Sequence, residues 1–190
     1  SGRVAHTGCG RDVGRQSVVA RVVASDVGDA ADALSVGGRT ALVGVLHAAG
    51  VLRDRMLRAM SADDVHASYA PKAEGAALLH FVATRGLETF GLFSSVASTF
   101  GNVGQANYAA ANAYLDALAS VRRHCGRLGS SLQIPAVSGA GMGATTFGEA
   151  QLEAMGAVSL DEFAACLGAV LAAGRAAVEQ TQAPLHPGAL

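Results

Sequence analysis

The sequence predicts an α/β fold in which a parallel β-sheet carries helices on both faces. Short apolar and β-branched runs alternate with segments of helical spacing along most of the chain. This order is typical of parallel sheets, because each parallel strand pair needs a crossover that is usually a helix. Apolar residues make up 51% of the 190 residues. That length and composition predict one domain with one core.

The first half of the chain holds two predicted strands and two predicted helices. A β-branched run at 18–24 ends at a turn, which indicates a buried strand, and a second strand covers 41–46. Helical spacing over 56–85, with a start signal at Ser61, predicts two helices. Pro71 either starts the second helix or kinks a longer one.

The second half continues the alternation. We expect a third strand at 90–95, an alanine-rich helix at 106–123 and a fourth strand at 131–134. Glycines and small residues over 135–148 indicate a loop. Two further helical patterns follow at 149–155 and 160–173.

Composition excludes several classes of function. The net charge is −1 and the basic residues are scattered, so no nucleic-acid surface is indicated. No apolar run approaches the roughly 18 residues that a membrane span needs, and we expect a soluble chain. Cys9, Cys125 and Cys166 lie far apart without a CxxC motif, which predicts neither disulfides nor a metal site. A reducing, cytoplasmic setting fits best.

The expected organisation is a folded domain flanked by two connecting segments. Residues 1–16 are rich in glycine and read as a remnant loop, 17–175 form the domain, and 176–190 read as a linker. The chain does not start with methionine and has no signal peptide, so we expect it to come from a longer polypeptide.

Candidate functional residues follow the predicted strands, because ligands of open parallel sheets bind beyond the carboxyl ends of the strands. These positions are Asp26, Val27, His47, Ala48, Ala49, Gly50, Ser94, Ser95, Pro135, Ala136 and Val137. In the following helix, Tyr108 and Asn112 are four residues apart and share one face. A tyrosine held there is a candidate acid.

Four segments of the chain form an ordered set: His-Ala-Ala-Gly at 47–50, Pro-Lys-Ala-Glu-Gly at 71–75, Leu-Phe-Ser-Ser at 92–95 and Gly-Gln-Ala-Asn-Tyr-Ala-Ala-Ala-Asn-Ala at 104–113. In this order they resemble the ketoreductase domains of modular polyketide synthases, which belong to the short-chain dehydrogenase superfamily. The resemblance covers about residues 17 to 145 and implies a Rossmann-like sheet. It also implies reduction of a β-ketoacyl thioester with NADPH.

The resemblance implies a catalytic set of Lys72, Ser95, Tyr108 and Asn112. The wider superfamily has lysine where Asn112 stands, whereas these ketoreductases carry their lysine on the preceding helix, as Lys72 does here. Tyr108 would protonate the forming alkoxide, Ser95 would bind the ketone oxygen, and the ammonium of Lys72 would lower the pKa of the phenol. Asn112 would hold the part of the site around Lys72 in place through its side-chain amide and an ordered water.

The resemblance also assigns a cofactor site. Asp26 and Val27 would meet the adenine, Ala48, Ala49 and Gly50 would lie under the ribose and pyrophosphate, and Pro135, Ala136 and Val137 would flank the nicotinamide. The implied partners are an acyl carrier protein that bears the β-ketoacyl chain and the other domains of a polyketide synthase.

Product stereochemistry is implied by three residues. One stereochemical type carries Leu-Asp-Asp soon after the His-Ala-Ala-Gly segment, and Leu52 and Asp54 retain its leucine and second aspartate. The other type has tryptophan eight residues before the tyrosine, but Phe100 stands there and the chain has no tryptophan. We therefore expect the D-hydroxy, B-type product.

Several of these residues and segments have alternative interpretations. Ser94 and Ser98 are alternatives to Ser95, and His47 is expected to be structural. The glycines at 7–14 are not taken as a dinucleotide loop, because no convincing strand precedes them; the first βαβ unit of the fold is expected to be missing. A free-standing short-chain dehydrogenase and a non-catalytic reductase-like fragment remain the alternative functions.

Overall fold

The computed structural model describes residues 7–9, 19–21, 25–37, 42–83, 86–139, 148–154, 156–172 and 181–182. The strands are β1 Thr7–Cys9, β2 Val19–Arg21, β3 Gly44–His47, β4 Thr89–Ser95, β5 Ser130–Ile134 and β6 Thr181–Gln182. The α-helices are α1 Ala30–Gly37, α2 Ala62–Tyr69, α3 Gly75–Val82, α4 Ala97–Phe100, α5 Ala106–His124, α6 Glu149–Ala154 and α7 Leu160–Ala172. A 3₁₀ turn covers Leu57–Ala59, and a π-helical turn covers Ala70–Glu74.

The central sheet is parallel and has the strand order β3-β4-β5-β6. Val45 pairs with Phe90, and Phe93 pairs with Leu132. Because these strands run in one direction, their carboxyl ends lie along a single edge. The predicted parallel α/β fold is confirmed.

Helices cover both faces of this sheet. On one face, α3 and α5 pack on the strands through a buried cluster that includes Leu79, Phe90, Leu92 and Leu115. Side chains alternate between faces along a strand, and Phe93 on the opposite face meets Phe163 of α7 with ring centroids 5.8 Å apart. The core therefore lies mainly between the sheet and the α3–α5 pair.

Two short strands differ from the expected organisation. Thr7–Cys9, expected to be loop, pairs antiparallel with β2 in a separate two-stranded sheet. Of the strand predicted at 18–24, the described residues 19–21 pair with β1 and not with the parallel sheet. The connection between the two strands is shorter than a parallel crossover needs, which accounts for their antiparallel pairing. Thr181–Gln182, expected to be linker, pairs with β5. The polar, proline-containing sequence around it gave no strand signal.

A continuous helical path runs from α2 to α3 through the π-helical turn. Ser61 caps α2 in a capping box with Asp64, as the sequence predicts. Pro71 lies within the π turn and does not start a new helix. Proline has no N–H to donate to the preceding turn, and the backbone N–H of Gly75 bonds to Ala70, five residues earlier.

The described part of the chain holds no helix that is both long and apolar enough to cross a membrane. Cys125 is an exposed free thiol, and Cys166 is a half-buried one. The described residues also contain no group of three histidine, cysteine or carboxylate side chains that could hold a metal ion.

Two glycines in helices are expected to respond oppositely to alanine. A Cβ at Gly75 would lie 2.9 Å from Val27 Cγ1, whereas nothing lies within 4 Å of a Cβ at Gly168 in α7. The overpacking at Gly75 outweighs the gain in helix propensity, so Gly75→Ala should lower the free energy of unfolding by about 1 kcal/mol. Gly168→Ala should raise it by up to about 1 kcal/mol.

Urea denaturation of both variants measures the difference. If Gly75→Ala stabilises as much as Gly168→Ala, the close contact with Val27 is not a constraint.

Candidate active site

The carboxyl edge of the sheet brings together residues from three consecutive strands and two helices. β3 ends at His47, β4 at Ser95 and β5 at Ile134. The π-helical turn brings Lys72 to this edge, and the first turns of α5 bring Tyr108. The predicted catalytic residues therefore converge in space, although they are dispersed in the sequence.

Lys72 is buried, with 2% of its surface exposed. Its Nζ donates to the Phe93 carbonyl at 2.8 Å and lies 5.4 Å from the centre of the Tyr108 ring. Burial lowers the pKa of Lys72 to about 8, and the Asp116 carboxylate opposes the fall. The ammonium is thus charged at neutral pH beside the candidate acid, within cation–π distance of its ring.

Tyr108 is largely buried near the start of α5. Burial raises the pKa of its phenol, the side chains of Asn112 and Ser95 oppose the rise, and the Asp54 carboxylate adds to it. This direction is opposite to the expected lowering, because loss of solvation disfavours the phenolate. At neutral pH the phenol carries its proton, as a proton donor requires.

Asn112 is fully buried, one turn after Tyr108. Its Nδ2 donates to the Tyr108 carbonyl at 2.8 Å. Its Oδ1 is buried and has no hydrogen-bond partner within the described residues. Because a buried acceptor without a partner is costly, this oxygen marks a place for a donor such as water.

Ser95 differs from the two neighbouring serines in its surroundings. Ser94 is buried and donates to the Asn112 carbonyl at 3.2 Å. Ser98 is engaged with the Ser95 carbonyl and with Asp116. The Ser95 hydroxyl accepts a bond from the Ala97 amide at 3.2 Å and lies near enough to affect the pKa of Tyr108. Its position favours Ser95 over Ser94 and Ser98 as the hydroxyl that faces a substrate.

Asp116, one turn beyond Asn112, was not singled out in the sequence. Its carboxylate accepts bonds from Ser98 at 2.7 Å, from Gln133 at 2.8 Å and from Ser131. It thereby links α5 to β5 and to the turn after Ser95, and it is the acid that acts on Lys72. The i, i+4, i+8 spacing of Tyr108, Asn112 and Asp116 was the available signal.

His47 has a structural contact. It is buried, and its Nε2–H donates to the Lys72 carbonyl at 2.9 Å. Burial lowers the pKa of His47, and the charge of Lys72 lowers it further, although the bond to the carbonyl opposes both. His47 therefore holds the backbone of the π-helical turn against β3.

The residues proposed for the cofactor occupy two strand ends and one turn. Ala48, Ala49 and Gly50 follow β3 and carry no side chain beyond a methyl group. Pro135, Ala136 and Val137 follow β5, where the Ala136 carbonyl accepts a bond from the Val158 amide at 2.9 Å. These segments adjoin the catalytic set along the same edge.

Asp26 and Val27 lie in the turn before α1. Asp26 is exposed, and its carboxylate accepts a bond from the Gly28 amide at 2.9 Å. Val27 is half-buried and packs against the hydrophobic core and Gly75. Much of the surface of the Val27 side chain is covered by these neighbours, so only part of it is accessible to a ligand.

The residues assigned to stereochemistry flank the start of α5. Leu52 is half-buried and Asp54 is exposed; Asp54 accepts a bond from Gln105 Nε2 at 2.9 Å. Phe100 ends α4 with 54% of its surface exposed. Gln105 was not predicted, and its position three residues before Tyr108 places it between the loop at 52–54 and the catalytic set.

Comparison with known proteins supports the resemblance. A family model described as KR domain matches residues 10–139. The spectinabilin polyketide synthase system protein NorB of Streptomyces orinoci is 39% identical over 176 residues, which cover 87% of this chain and 8% of that protein. Polyketide synthase GfsA of Streptomyces halstedii is 46% identical over 127 residues, which cover 64% of this chain and 2% of GfsA.

Solved structures agree with this assignment. The first ketoreductase of the tylosin polyketide synthase has a TM-score of 0.72 and 36% identity, with coverage of 83% of this chain and 35% of that chain. An A1-type ketoreductase has a TM-score of 0.76 and 30% identity, with coverage of 86% and 36%. This chain thus spans about a third of those solved chains. It belongs to the ketoreductase domain family of polyketide synthases.

Proposed function

We propose that this chain supplies the catalytic residues for NADPH-dependent reduction of a β-ketoacyl thioester, carried on an acyl carrier protein, to the β-hydroxyacyl thioester. The observation that carries the proposal is the buried ammonium of Lys72, 5.4 Å from the ring centre of Tyr108. Membership of the ketoreductase family implies a nicotinamide cofactor and a β-ketoacyl substrate. The preference for NADPH and the carrier protein are inferred from the family resemblance.

The residues present fit such a cofactor. The small residues at 48–50 let a ligand approach the backbone after β3. Asn112 Oδ1, which has no hydrogen-bond partner among the described residues, leaves a buried acceptor within the catalytic set. Ala48 to Gly50 would hold the ribose and pyrophosphate, and Pro135 to Val137 would hold the nicotinamide. When bound, the cofactor supplies the hydride.

Tyr108 then acts as the general acid. As the ketone is reduced, its oxygen gains negative charge, and the protonated phenol donates to that oxygen. The Ser95 hydroxyl donates a second hydrogen bond to the same oxygen and stabilises its charge. Both groups come from rigid elements, the end of β4 and the first turns of α5.

Lys72 stabilises the charge left on Tyr108 after proton transfer. A positive charge near a phenolate favours the ionised form, and the low exposure of Lys72 reduces solvent screening. Asn112 Oδ1 would accept from a water that returns a proton towards Lys72 and Tyr108. Proton donation is thus the role of Tyr108, and stabilisation of the resulting phenolate is the role of Lys72.

The D-hydroxy, B-type product is part of the proposal. Leu52 and Asp54 provide two residues of the B-type segment, and the chain has no tryptophan, which the other type carries at the position of Phe100. Similarity of the whole fold does not distinguish the two types, since an A1-type ketoreductase is also similar. Mainly L-hydroxy product in chiral analysis would overturn the stereochemical assignment.

Removal of the Tyr108 hydroxyl should abolish turnover. Tyr108→Phe is expected to reduce kcat by about 100-fold or more, because general acid catalysis contributes on that scale. The measurement is NADPH oxidation with a β-ketoacyl N-acetylcysteamine thioester. The chain is assayed within its parent polypeptide, because solved ketoreductase chains are much longer.

A matched control lies on the same helix. Tyr114 is half-buried and contacts Tyr69, with ring centroids 5.9 Å apart. Tyr114→Phe should leave kcat within about twofold, since its hydroxyl is outside the catalytic set. Full turnover by Tyr108→Phe, or none in folded unaltered protein, would contradict the proposed function; the second result would favour the non-catalytic interpretation.

Activity should decline as pH rises through about 8, where Lys72 loses its proton. The neutral amine no longer stabilises the phenolate of Tyr108. Asp116→Asn removes the carboxylate that raises the pKa of Lys72, so the alkaline limb of kcat should move to lower pH. Profiles of kcat from neutral to alkaline pH measure the shift.

Asp63→Asn is the control for this titration. Asp63 is an exposed carboxylate in the first turn of α2, and its loss should leave the alkaline limb in place. An unchanged limb in folded Asp116→Asn would show that Asp116 does not set the charge of Lys72.

A further inference from the structure

The loop that carries Leu52 and Asp54 is hydrogen-bonded to the segment just before Tyr108. Three successive loop residues, 53 to 55, take part. The Arg53 carbonyl accepts from Asn107 Nδ2 at 2.9 Å, Asp54 accepts from Gln105 at 2.9 Å, and the Arg55 amide donates to the Gly104 carbonyl at 2.8 Å. Two segments about fifty residues apart in sequence therefore form one unit.

Asn107 is buried in this unit, with 3% of its surface exposed, and so is Gln105. Its Nδ2 also donates to the Asp64 carbonyl at 2.9 Å and to Ser68 Oγ at 3.1 Å. Its Oδ1 accepts from the Tyr108 amide at 2.9 Å. The Asn107 amide has two hydrogens and donates to three acceptors, so one hydrogen is shared between two of them.

We propose that Asn107 is a specificity-determining positioning residue, which holds the Arg53 peptide, and with it Leu52 and Asp54, at a fixed place relative to Tyr108. The inference rests on the proposed function and extends it. Asn107 itself contacts no reacting atom; it acts through the loop on one side and through the backbone of Tyr108 on the other.

The geometry explains why specificity would depend on this bond. The Arg53 carbonyl belongs to the planar peptide that joins Arg53 to Asp54, so its bond to Asn107 constrains Asp54 directly and Leu52 through the backbone of Arg53. Asp54 accepts from Gln105, which lies three residues before Tyr108, so its carboxylate is tied to the segment that leads into the candidate acid. A shift of about an ångström decides which face of the ketone is presented to the site. Loss of the bond between Asn107 and Arg53 would therefore let both faces reach Tyr108.

The bond from Asn107 to Ser68 is a packing contact that can be removed without removal of the bond to Arg53. Ser68 is fully buried on α2, and its Oγ accepts from the same Asn107 Nδ2 that donates to the Arg53 carbonyl. Ser68→Ala removes this contact and leaves the bond to Arg53. Asn107→Asp keeps an acceptor for the Tyr108 amide but directs an oxygen at the Arg53 and Asp64 carbonyls, which repel it.

The experiment measures the ratio of the two β-hydroxy enantiomers from a β-ketoacyl thioester, with the chain in its parent polypeptide. Asn107→Asp and Asn107→Ala should each reduce this ratio by about tenfold, a size typical of discrimination by contacts that position a substrate. Ser68→Ala should leave it unchanged, even where it lowers stability.

Hydrogen exchange of residues 52–56 gives a second measurement that needs no turnover. Exchange in this segment should be faster in both Asn107 variants and unchanged in Ser68→Ala. An unaltered enantiomer ratio in the Asn107 variants, or equal effects of Ser68→Ala, would overturn the inference. If exchange is faster in the Asn107 variants but the unaltered protein makes no hydroxy product, the result supports the hold of Asn107 on the loop and contradicts the proposed function.

Discussion

A charged lysine at 2% exposure is the constraint around which the site is arranged. Removal of an ammonium group from water costs several kcal/mol even after the protein relaxes. The fold supplies a carbonyl from β4, a carboxylate from α5 and the face of an aromatic ring in compensation. Each of these groups comes from a strand of the sheet or from the helix that packs on it, so the stability of the fold and the state of Lys72 are linked.

The π-helical turn is what brings that lysine between the sheet and α5. A regular helix through Ala70–Glu74 would require an N–H that Pro71 does not have. Within the turn, the Lys72 carbonyl accepts from His47 as well as from the Gly75 amide, so β3 is bonded directly to the turn. Distorted helical turns of this kind often occur at functional sites, and here the distortion has an identifiable cause in one residue.

Much of the fold was predictable, because the strands β3, β4 and β5 and the helix α5 have clear periodicity and boundaries. The catalytic set was predictable only through the resemblance, since a lone tyrosine and asparagine at helical spacing are common. Asp116 and Asn107 were missed because their importance lies in bonds to distant segments, which local sequence does not encode. The pairing of β1 with β2 was also missed, since pattern alone does not say which strands are partners.

The polar face of β5 has a further consequence for the assembly of the sheet. Strands buried in parallel sheets are usually apolar throughout, but Ser131 and Gln133 both point at Asp116. A slip of one residue would turn Leu132 towards that carboxylate and leave two polar side chains against α7. The bonds to Asp116 thus favour the observed register, in which Ser95 pairs with Ile134, and this register places the end of β4 beside Pro135.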